Sequence, residues 1–371
     1  MLRERKRAPA GVHALMLACS IGLLGCAALP WPGPKLPIAA APGPRGLLDL
    51  RGVVHVHTDI SQDARGRLED AVRAAHRAGV QWIAFNEHRR GEGEPFAAWP
   101  ERMDDVTLIP GWEMGSDGGS ILFLGVSKRP PRFETAQQAS RWAHARGGLA
   151  YIGHMEKSGL VDPARFEDAD LDGLEIINLH AQAKQYRWSF SSGVLLLPAP
   201  CALRRLLRIP EPHLASLDSL PDAPGIVGGV DAHAKLRVLG RWTTLDRYTD
   251  LFRSVTTHVL SSSTRAADVV DALRAGRSYV ALEGLAPVPH FDFVRRGGAF
   301  EVDAPRPARI RLVCDGRDAG SAEGAHVTLV LPPGARRCRL QAELDGRLWI
   351  ATAPQRVAAE GSSRIGALHD P

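Results

Sequence analysis

Polar residues of the types that bind metal ions follow several apolar runs in this sequence. The run Val53 to His57 reads as a strand that places His55 and His57 on one face, because successive side chains of a strand point to opposite faces. A second apolar run, Trp82 to Phe85, is followed by His88, and a helix is predicted between the two runs. The segment therefore reads as strand, helix, strand, with imidazoles at the strand ends.

The same arrangement occurs again further along the chain, where other apolar runs end in a carboxylate or an imidazole. A single histidine at a strand end is more often an ordinary polar residue, and His144 on a predicted helix reads as solvated. Repetition at several strand ends favours one shared site. Imidazole and carboxylate without a CxxC pair suit zinc, manganese or iron. The candidate ligands are His55, His57, Asp63, His88, Glu113, His154, Asp231 and His233.

The elements that must position these residues form a repeating pattern. Apolar strands alternate with helices over residues 50–285, which predicts an α/β fold with a buried parallel sheet. In a parallel barrel the carboxyl ends of all strands open onto one face, so distant residues meet there. A helix is predicted at Thr264 to Ala275. After Pro287 short strands and the turns Asp315-Gly316 and Asp345-Gly346 predict a small antiparallel β domain of sandwich type.

The N-terminus has the composition of an export signal. Basic residues precede the apolar stretch Gly11 to Leu24, which is too short to span a bilayer comfortably. The segment Leu23-Leu24-Gly25-Cys26 resembles the cleavage box of bacterial lipoproteins, in which the cysteine is acylated. This predicts an exported lipoprotein, anchored through Cys26 to a membrane that faces the periplasm or the cell exterior. An ordinary signal peptide or a short membrane anchor is the alternative.

Composition limits the classes of partner. The chain has 371 residues, 44% of them hydrophobic, enough for one large domain and a smaller one. Its net charge of +5 comes from scattered basic residues without an aromatic-basic RNA motif, so no nucleic-acid partner is expected. In an exported protein Cys314 and Cys338 are able to pair, but their spacing leaves both the paired and the free state open.

Several segments resemble the motifs of the PHP (polymerase and histidinol phosphatase) metallophosphoesterases. The resemblance covers about residues 50–285 and implies a distorted (β/α)7 barrel whose open face holds up to three divalent ions. The segments are His55 to Asp63, Ile83 to His88, Ile109 to Glu113, Tyr151 to His154 and Gly229 to His233. With this family in view, the domains are expected at 1–26 (signal peptide with lipidation box), 27–48 (Pro/Gly/Ala-rich linker), 49–286 (metal-dependent hydrolase), 287–358 (β domain) and 359–371 (disordered tail).

The resemblance also implies roles for the candidate ligands. By similarity, one to three zinc, manganese or iron ions would be bound, and a metal-bound hydroxide would attack the substrate. Glu113, Asp231 and His154 would be the catalytic residues. The first ion would be held by His55, His57, Glu113 and Asp231, the second by Glu113 and His154, and the third by Asp63, His88 and His233.

The sequence departs from the family pattern at a few positions. Asn86-Glu87-His88 stands where relatives usually have Thr-Asp-His, and Val230 precedes Asp231 where relatives usually have serine. Ser120 occupies a position where relatives often have a histidine ligand to the second ion. Because serine is a poor zinc ligand, the second ion is the one in doubt.

Basic residues close to the predicted ligands indicate an anionic small-molecule substrate. Arg and Lys are natural partners of phosphate oxygens, which favours a phosphomonoester or phosphodiester. Solvated surface charges are the equally simple explanation. The residues are Arg89, Arg90, Lys157 and Lys235.

Two other classes of function stay open. The segment Ala272 to Val280, followed by a β domain, is similar to the exported branch of the family that includes carbaryl-hydrolysing enzymes, so carboxyl or carbamate esters and amides are alternative substrates. Amidohydrolase barrels also open with two such histidines, but His233 argues against them. A non-catalytic metal- or ligand-binding lipoprotein, with Ser120 as a sign of lost activity, is the last alternative. The oligomeric state is not predicted.

Overall fold

The structure is a computed structural model that describes residues 40–88, 93–116, 119–185, 199–220, 224–235, 237–238, 241–242 and 247–357. The predicted signal peptide, Cys26, residues 27–39 of the linker, the tail, Arg89 and Arg90 lie outside these residues. Within them, no helix is both long enough and apolar enough to cross a membrane.

The described residues form the following elements, numbered in chain order. The strands are β1 (Ala41–Pro42), β2 (Leu48–Val56), β3 (Trp82–Phe85), β4 (Glu87–His88), β5 (Arg102–Met103), β6 (Val106–Ile109), β7 (Gly111–Ser116), β8 (Gly119–Leu124), β9 (Leu149–Gly153), β10 (Gly173–Asn178), β11 (Gly225–Ala232), β12 (Arg237–Val238), β13 (Arg241–Trp242), β14 (Thr256–Ser261), β15 (Ser278–Ala281), β16 (Asp292–Arg296), β17 (Ala299–Cys314), β18 (Arg317–Val330), β19 (Arg337–Leu344), β20 (Arg347–Thr352) and β21 (Gln355–Arg356). The α-helices are α1 (Leu68–Ala78), α2 (Ala136–His144), α3 (Pro163–Asp168), α4 (Leu179–Gln185), α5 (Ala199–Leu206), α6 (Glu211–Ser219), α7 (Tyr248–Phe252) and α8 (Ala266–Arg274).

Parallel pairing dominates around the predicted ligands. β2 pairs in parallel with β3 and with β11, β3 with β6, β4 with β7, and β10 with both β9 and β11. β3, β6, β9 and β11 are buried throughout, as expected for strands that are covered on both faces. The mixed α/β class is therefore confirmed.

The regular barrel of seven strand–helix units is not confirmed. β8 runs antiparallel to both of its neighbours, β7 and β9, because only two residues separate it from β7 and leave no room for a crossover helix. The sheet also continues from β2 through β14 and β15 to β20, all in antiparallel pairs. Among the described residues, nineteen strands belong to this one sheet, so it is not a closed barrel of seven units.

Helices cover the sheet with small apolar side chains. In α1, for example, Ala71, Val72 and Ala75 recur at helical spacing and are buried, while the opposite face of the helix is polar. Burying a valine side chain contributes about 1.5–3 kcal/mol. The helix ends where Gly79 adopts a left-handed φ of 70°, a conformation that costs glycine little. The predicted helix at Thr264 to Ala275 is α8, which begins at Ala266 with Arg265 as its N-cap.

The C-terminal strands have a hydrophobic core cluster of their own, which includes Phe291, Leu312 and Trp349. As predicted, two-residue turns at Asp315-Gly316 and Asp345-Gly346 join β17 to β18 and β19 to β20, with positive φ at all four residues. The proposed domain boundaries stay a prediction. β1 pairs with the start of β2, so Ala41, Pro42 and Leu48 of the predicted linker belong to the sheet.

The structure pairs the two cysteines whose state the sequence left open. Cys314 and Cys338 face each other across β17 and β19 and form a disulfide. Both side chains are buried in the C-terminal core. The bridge closes a segment with a sequence separation of 24 residues that contains the whole of β18.

Candidate metal centre

The predicted ligands lie at the ends of strands, in positions where the backbone departs from regular strand geometry. His55 in β2, His154 after β9 and Asp231 in β11 have left-handed φ values of 66°, 49° and 49°. Non-glycine residues seldom adopt this conformation, and it is concentrated at functional sites. The pairing register shifts around His55 and around Asp231, as in a β-bulge that re-aims a side chain. His55 and His57 thus lie close, with ring centroids 5.1 Å apart, although regular strand alternation is interrupted between them.

Three groups of side chains among the described residues have ligand atoms close enough together to hold a metal ion. Two of the groups share His55, and two share His57, so the groups adjoin one another. The groups are His55, His57 and Asp231; His55, Glu113 and His154; and His57, His88 and His233.

Glu113 lies at the middle of this arrangement. Its Oε2 is 3.1 Å from His55 Nε2, 3.6 Å from His57 Nε2 and 3.5 Å from His88 Nδ1. Its Oε1 is 3.1 Å from His154 Nε2. One carboxylate therefore faces four imidazoles, with both of its oxygens close to histidine nitrogens.

Asp231 and Asp63 complete the set. Asp231 Oδ1 is 3.4 Å from His57 Nε2, and its Oδ2 is 3.8 Å from His154 Nε2. Asp63 Oδ2 is 3.1 Å from His233 Nε2, and its Oδ1 is 3.6 Å from His88 Nε2. The structure therefore brings every predicted ligand to one place.

The donor atoms fit a divalent ion. His57 Nε2 and Asp63 Oδ1 are buried, and within the described part of the chain neither has a hydrogen-bond partner. Burial lowers the pKa of His57 to about 3, against the opposing effect of Asp231, so this imidazole is neutral and one of its ring nitrogens keeps a lone pair. Unpaired ligand atoms are costly to bury unless something binds them.

The other pKa values show how strongly these groups interact. Burial acts to lower the pKa of His55, but the carboxylates of Glu175, Asp231 and Glu113 outweigh it and hold that pKa well above the usual value. Burial acts in the opposite direction on Glu113, where the nearby histidines hold the pKa well below its usual range. Hydrogen bonds to Glu113 and Glu156 raise the pKa of His154 to about 10 despite burial. The centre therefore keeps its carboxylates ionised.

Residues that were not predicted as site residues support the ligands. Ser61 Oγ lies 3.3 Å from His57 Nδ1 and donates to Glu87, a buried carboxylate whose pKa burial raises to about 7 against the hydrogen bonds from Ser61 and Thr58. Glu175 contacts His55 Nδ1 at 2.6 Å. The signal for Glu175 was present in the sequence, because a charge inside an otherwise apolar strand is rarely buried without a partner.

The remaining predicted residues lie at the edge of the centre. Ser120 Oγ donates to Glu113 Oε1 at 2.7 Å, so this side chain faces the carboxylate of a predicted ligand. Lys235 Nζ lies 3.5 Å from Asp63 Oδ2, and Lys157 is exposed in the turn that follows His154.

Among known proteins, the chain is similar to solved structures. No protein-family model and no curated protein matches the chain. A crystal structure of a two-domain protein from Bacteroides vulgatus, which contains a predicted PHP-like metal-dependent phosphoesterase, covers 86% of this chain and 100% of its own, with 14% identity and a TM-score of 0.44. A protein from Bifidobacterium adolescentis described as a metal-dependent phosphoesterase covers 51% of this chain and 88% of its own, with 15% identity and a TM-score of 0.31. Neither likeness establishes a family for this chain.

Proposed function

We propose that the chain is a metal-dependent hydrolase of the PHP type that cleaves phosphomonoesters or phosphodiesters. The observation that carries this proposal is the convergence of three groups able to hold a metal ion around one carboxylate, Glu113. Imidazole and carboxylate ligands without thiolate suit zinc, manganese or iron. Sites of this kind, with ions held close together, are typical of enzymes that transfer or hydrolyse phosphoryl groups.

The proposed division of labour among the ligands is the one that the resemblance to the PHP metallophosphoesterases implies, and each of its three sets shares at least two members with one of the groups in the structure. His55, His57, Glu113 and Asp231 would hold one ion, Glu113 and His154 a second, and Asp63, His88 and His233 a third. A divalent ion lowers the pKa of a bound water and offsets negative charge that develops on substrate oxygens. Neutral His57 offers a lone pair, and ionised Glu113 and Asp231 supply the negative charge that retains cations.

Cationic side chains at the rim would bind the anionic part of a small-molecule ester. Lys235 lies beside Asp63, and Lys157 is exposed next to His154. Arg89 and Arg90 follow His88 directly in the sequence. Arg and Lys recognise phosphate oxygens through charge-assisted hydrogen bonds.

The decisive experiment replaces Asp231, which is buried and takes part in one of the three groups. We expect Asp231→Ala to abolish turnover and to lower the bound metal. The purified protein would be assayed with Mn²⁺ and Zn²⁺ on phosphomonoesters, phosphodiesters and aryl esters, with metal content measured in parallel. His76→Ala is the matched control, because His76 is an exposed histidine on α1.

Full activity of Asp231→Ala would contradict the proposed site. Cleavage of aryl esters but not of phosphoesters by the unaltered protein would instead assign the centre to carboxyl or carbamate esters. Tight metal binding without any turnover would assign a binding protein.

We also propose that the protein is exported and held at a membrane surface through lipid on Cys26. The support is the order of a basic segment, a short apolar segment and the box that ends in Cys26. The following residues are rich in proline, glycine and alanine, a composition that suits an extended tether.

A further inference from the structure

One buried carboxylate contacts two of the predicted ligands from behind. Glu175 lies within β10 and is fully buried. Its Oε1 is 2.6 Å from His55 Nδ1, and its Oε2 accepts the backbone N–H of His154 at 2.9 Å. The residue is 120 positions from His55 in sequence and 21 from His154, so a single side chain joins two separate strand ends.

The fold keeps a space for this carboxylate. A Cβ added at Gly229, on the neighbouring strand β11, would lie 1.6 Å from Glu175 Oε1, so any larger residue at 229 would displace it. Asn178 Nδ2 lies 3.4 Å from Oε1 and 3.2 Å from Oε2 of the same carboxylate. The orientation of Glu175 is therefore set from two sides.

These contacts determine which nitrogen of His55 faces the metal centre. A carboxylate against Nδ1 keeps the proton on that nitrogen, which leaves Nε2 directed at Glu113 Oε2, 3.1 Å away. His55 belongs to two of the three groups able to hold an ion. A partner that orients a ligand histidine in this way also raises its basicity as a ligand.

The backbone contact has a separate consequence. His154 has a left-handed φ of 49°, a conformation that persists only where surrounding contacts hold it. Glu175 supplies one such contact through the N–H of His154. The same carboxylate thus fixes the ring of one ligand and the backbone of another.

We propose that Glu175 is a positioning residue of the metal centre, which sets the ring orientation of His55 and the backbone of His154 so that both present Nε2 to Glu113. The inference rests on the proposed function, because it assumes that these histidines bind metal. It adds a residue outside the set of ligands and explains why Gly229 stands on the adjacent strand.

The test is the binding of Mn²⁺ alone to the full chain, measured by calorimetry for the unaltered protein and for Glu175→Gln. The amide is nearly the same size, but it replaces one acceptor oxygen by a donor that would face either the Nδ1–H of His55 or the N–H of His154. Loss of such a partner typically weakens metal affinity by about 10- to 100-fold, and we expect a loss in this range.

Two further variants separate positioning from folding. Glu283→Gln is the matched control, because Glu283 is also buried and paired, with Arg51 at 2.9 Å, but contacts none of the predicted ligands in the described structure. It should lower thermal stability and leave Mn²⁺ affinity unchanged. Gly229→Ala keeps the carboxylate but displaces it, and should reproduce the affinity loss of Glu175→Gln.

The outcomes are distinct. Unchanged Mn²⁺ affinity in Glu175→Gln, or an equal loss in Glu283→Gln, would overturn the positioning role. If the unaltered protein binds Mn²⁺ but cleaves no phosphoester, the proposed reaction fails while the comparison of variants still decides the role of Glu175. If the unaltered protein binds no divalent ion, both proposals are wrong.

Discussion

At the scale of single residues, Ser120 is the position that bears most directly on the proposed second ion. Its hydroxyl donates to Glu113 Oε1, the oxygen that also lies 3.1 Å from His154 Nε2. A hydroxyl in this place satisfies the carboxylate but is a poor ligand. The group of His55, Glu113 and His154 therefore offers three good ligand atoms and lacks a fourth from position 120.

We predict that Ser120→His strengthens this group. The added imidazole would start beside Glu113 and His154, and a complete tetrahedral set should retain about one further zinc ion per chain after dialysis. Elemental analysis of the dialysed protein measures the number of zinc ions per chain. Ser120→Ala is the control, since it removes the hydrogen bond to Glu113 without adding a ligand. An unchanged metal count in Ser120→His would contradict the prediction.

At the scale of elements, a histidine that was predicted to be solvated joins α2 to the residues between α3 and β10. The prediction for His144 was wrong: its Nε2 lies 2.8 Å from Asp172 Oδ2, and its Nδ1 lies 3.4 Å from Asp170 Oδ2. The same Asp172 oxygen accepts the backbone N–H of Ala150 at the start of β9. The hydrogen bond to Asp172 raises the pKa of His144, against a smaller opposing effect of burial.

This contact predicts a pH-dependent contribution to stability. Because the pKa is raised in the folded state, the contribution is complete below the ordinary histidine value of 6.5 and is lost as pH rises through the raised value. Because His144 is partly exposed, this contribution to the free energy of unfolding is about 0.5–1 kcal/mol. Urea unfolding at pH 5.5 and pH 9 measures it. His144→Gln should lose that part of the pH dependence, and an identical pH profile in both proteins would contradict the assignment.

At the scale of the whole molecule, an ion pair attaches the C-terminal strand β19 to helix α6. Arg339 in β19 donates through Nε and one terminal nitrogen to the two oxygens of Asp218 in α6, both at 2.7 Å. Arg339 is 4% exposed and Asp218 is 17% exposed. Arg337 adds hydrogen bonds to the backbone oxygens of Asp218 and Leu220.

We predict that breaking this pair is costly because it leaves a buried charge without a partner. Arg339→Met should lower the free energy of unfolding by about 3–5 kcal/mol. The double variant Arg339→Met with Asp218→Asn should recover part of the loss, which a double-mutant cycle of urea unfolding measures. Additive effects of the two substitutions would show that the pair is not coupled.

The proposed lipid anchor makes a prediction about the location of the whole chain. Cys26→Ser removes the acylated side chain, so we expect the protein to move from the membrane fraction to the soluble fraction of expressing cells. Cys19→Ser, in the apolar segment that precedes Cys26, should leave the distribution unchanged. Fractionation followed by immunoblotting measures both. If Cys26→Ser stays with the membrane, the N-terminus acts as an ordinary membrane anchor.

The sequence alone determined much of the local order of this protein. Apolar runs and their lengths indicated the strands, and the polar residues just after them indicated the ligand candidates, because both patterns are properties of neighbouring residues. The mixed α/β class and the turns at Asp315-Gly316 and Asp345-Gly346 followed from the same local signals. The predicted ligands lie together in the structure because the carboxyl ends of parallel strands share an edge.

Only the tertiary structure decided how distant segments meet. The antiparallel direction of β8, the bulge at His55 and the pairing of Cys314 with Cys338 depend on which strands lie side by side. Glu175 is the clearest case, because its contacts are made with His55, 120 residues earlier, and its space is left by Gly229 on the adjacent strand. Local patterns encode an element and its buried face, whereas pairing between elements is set by the packing of the whole chain.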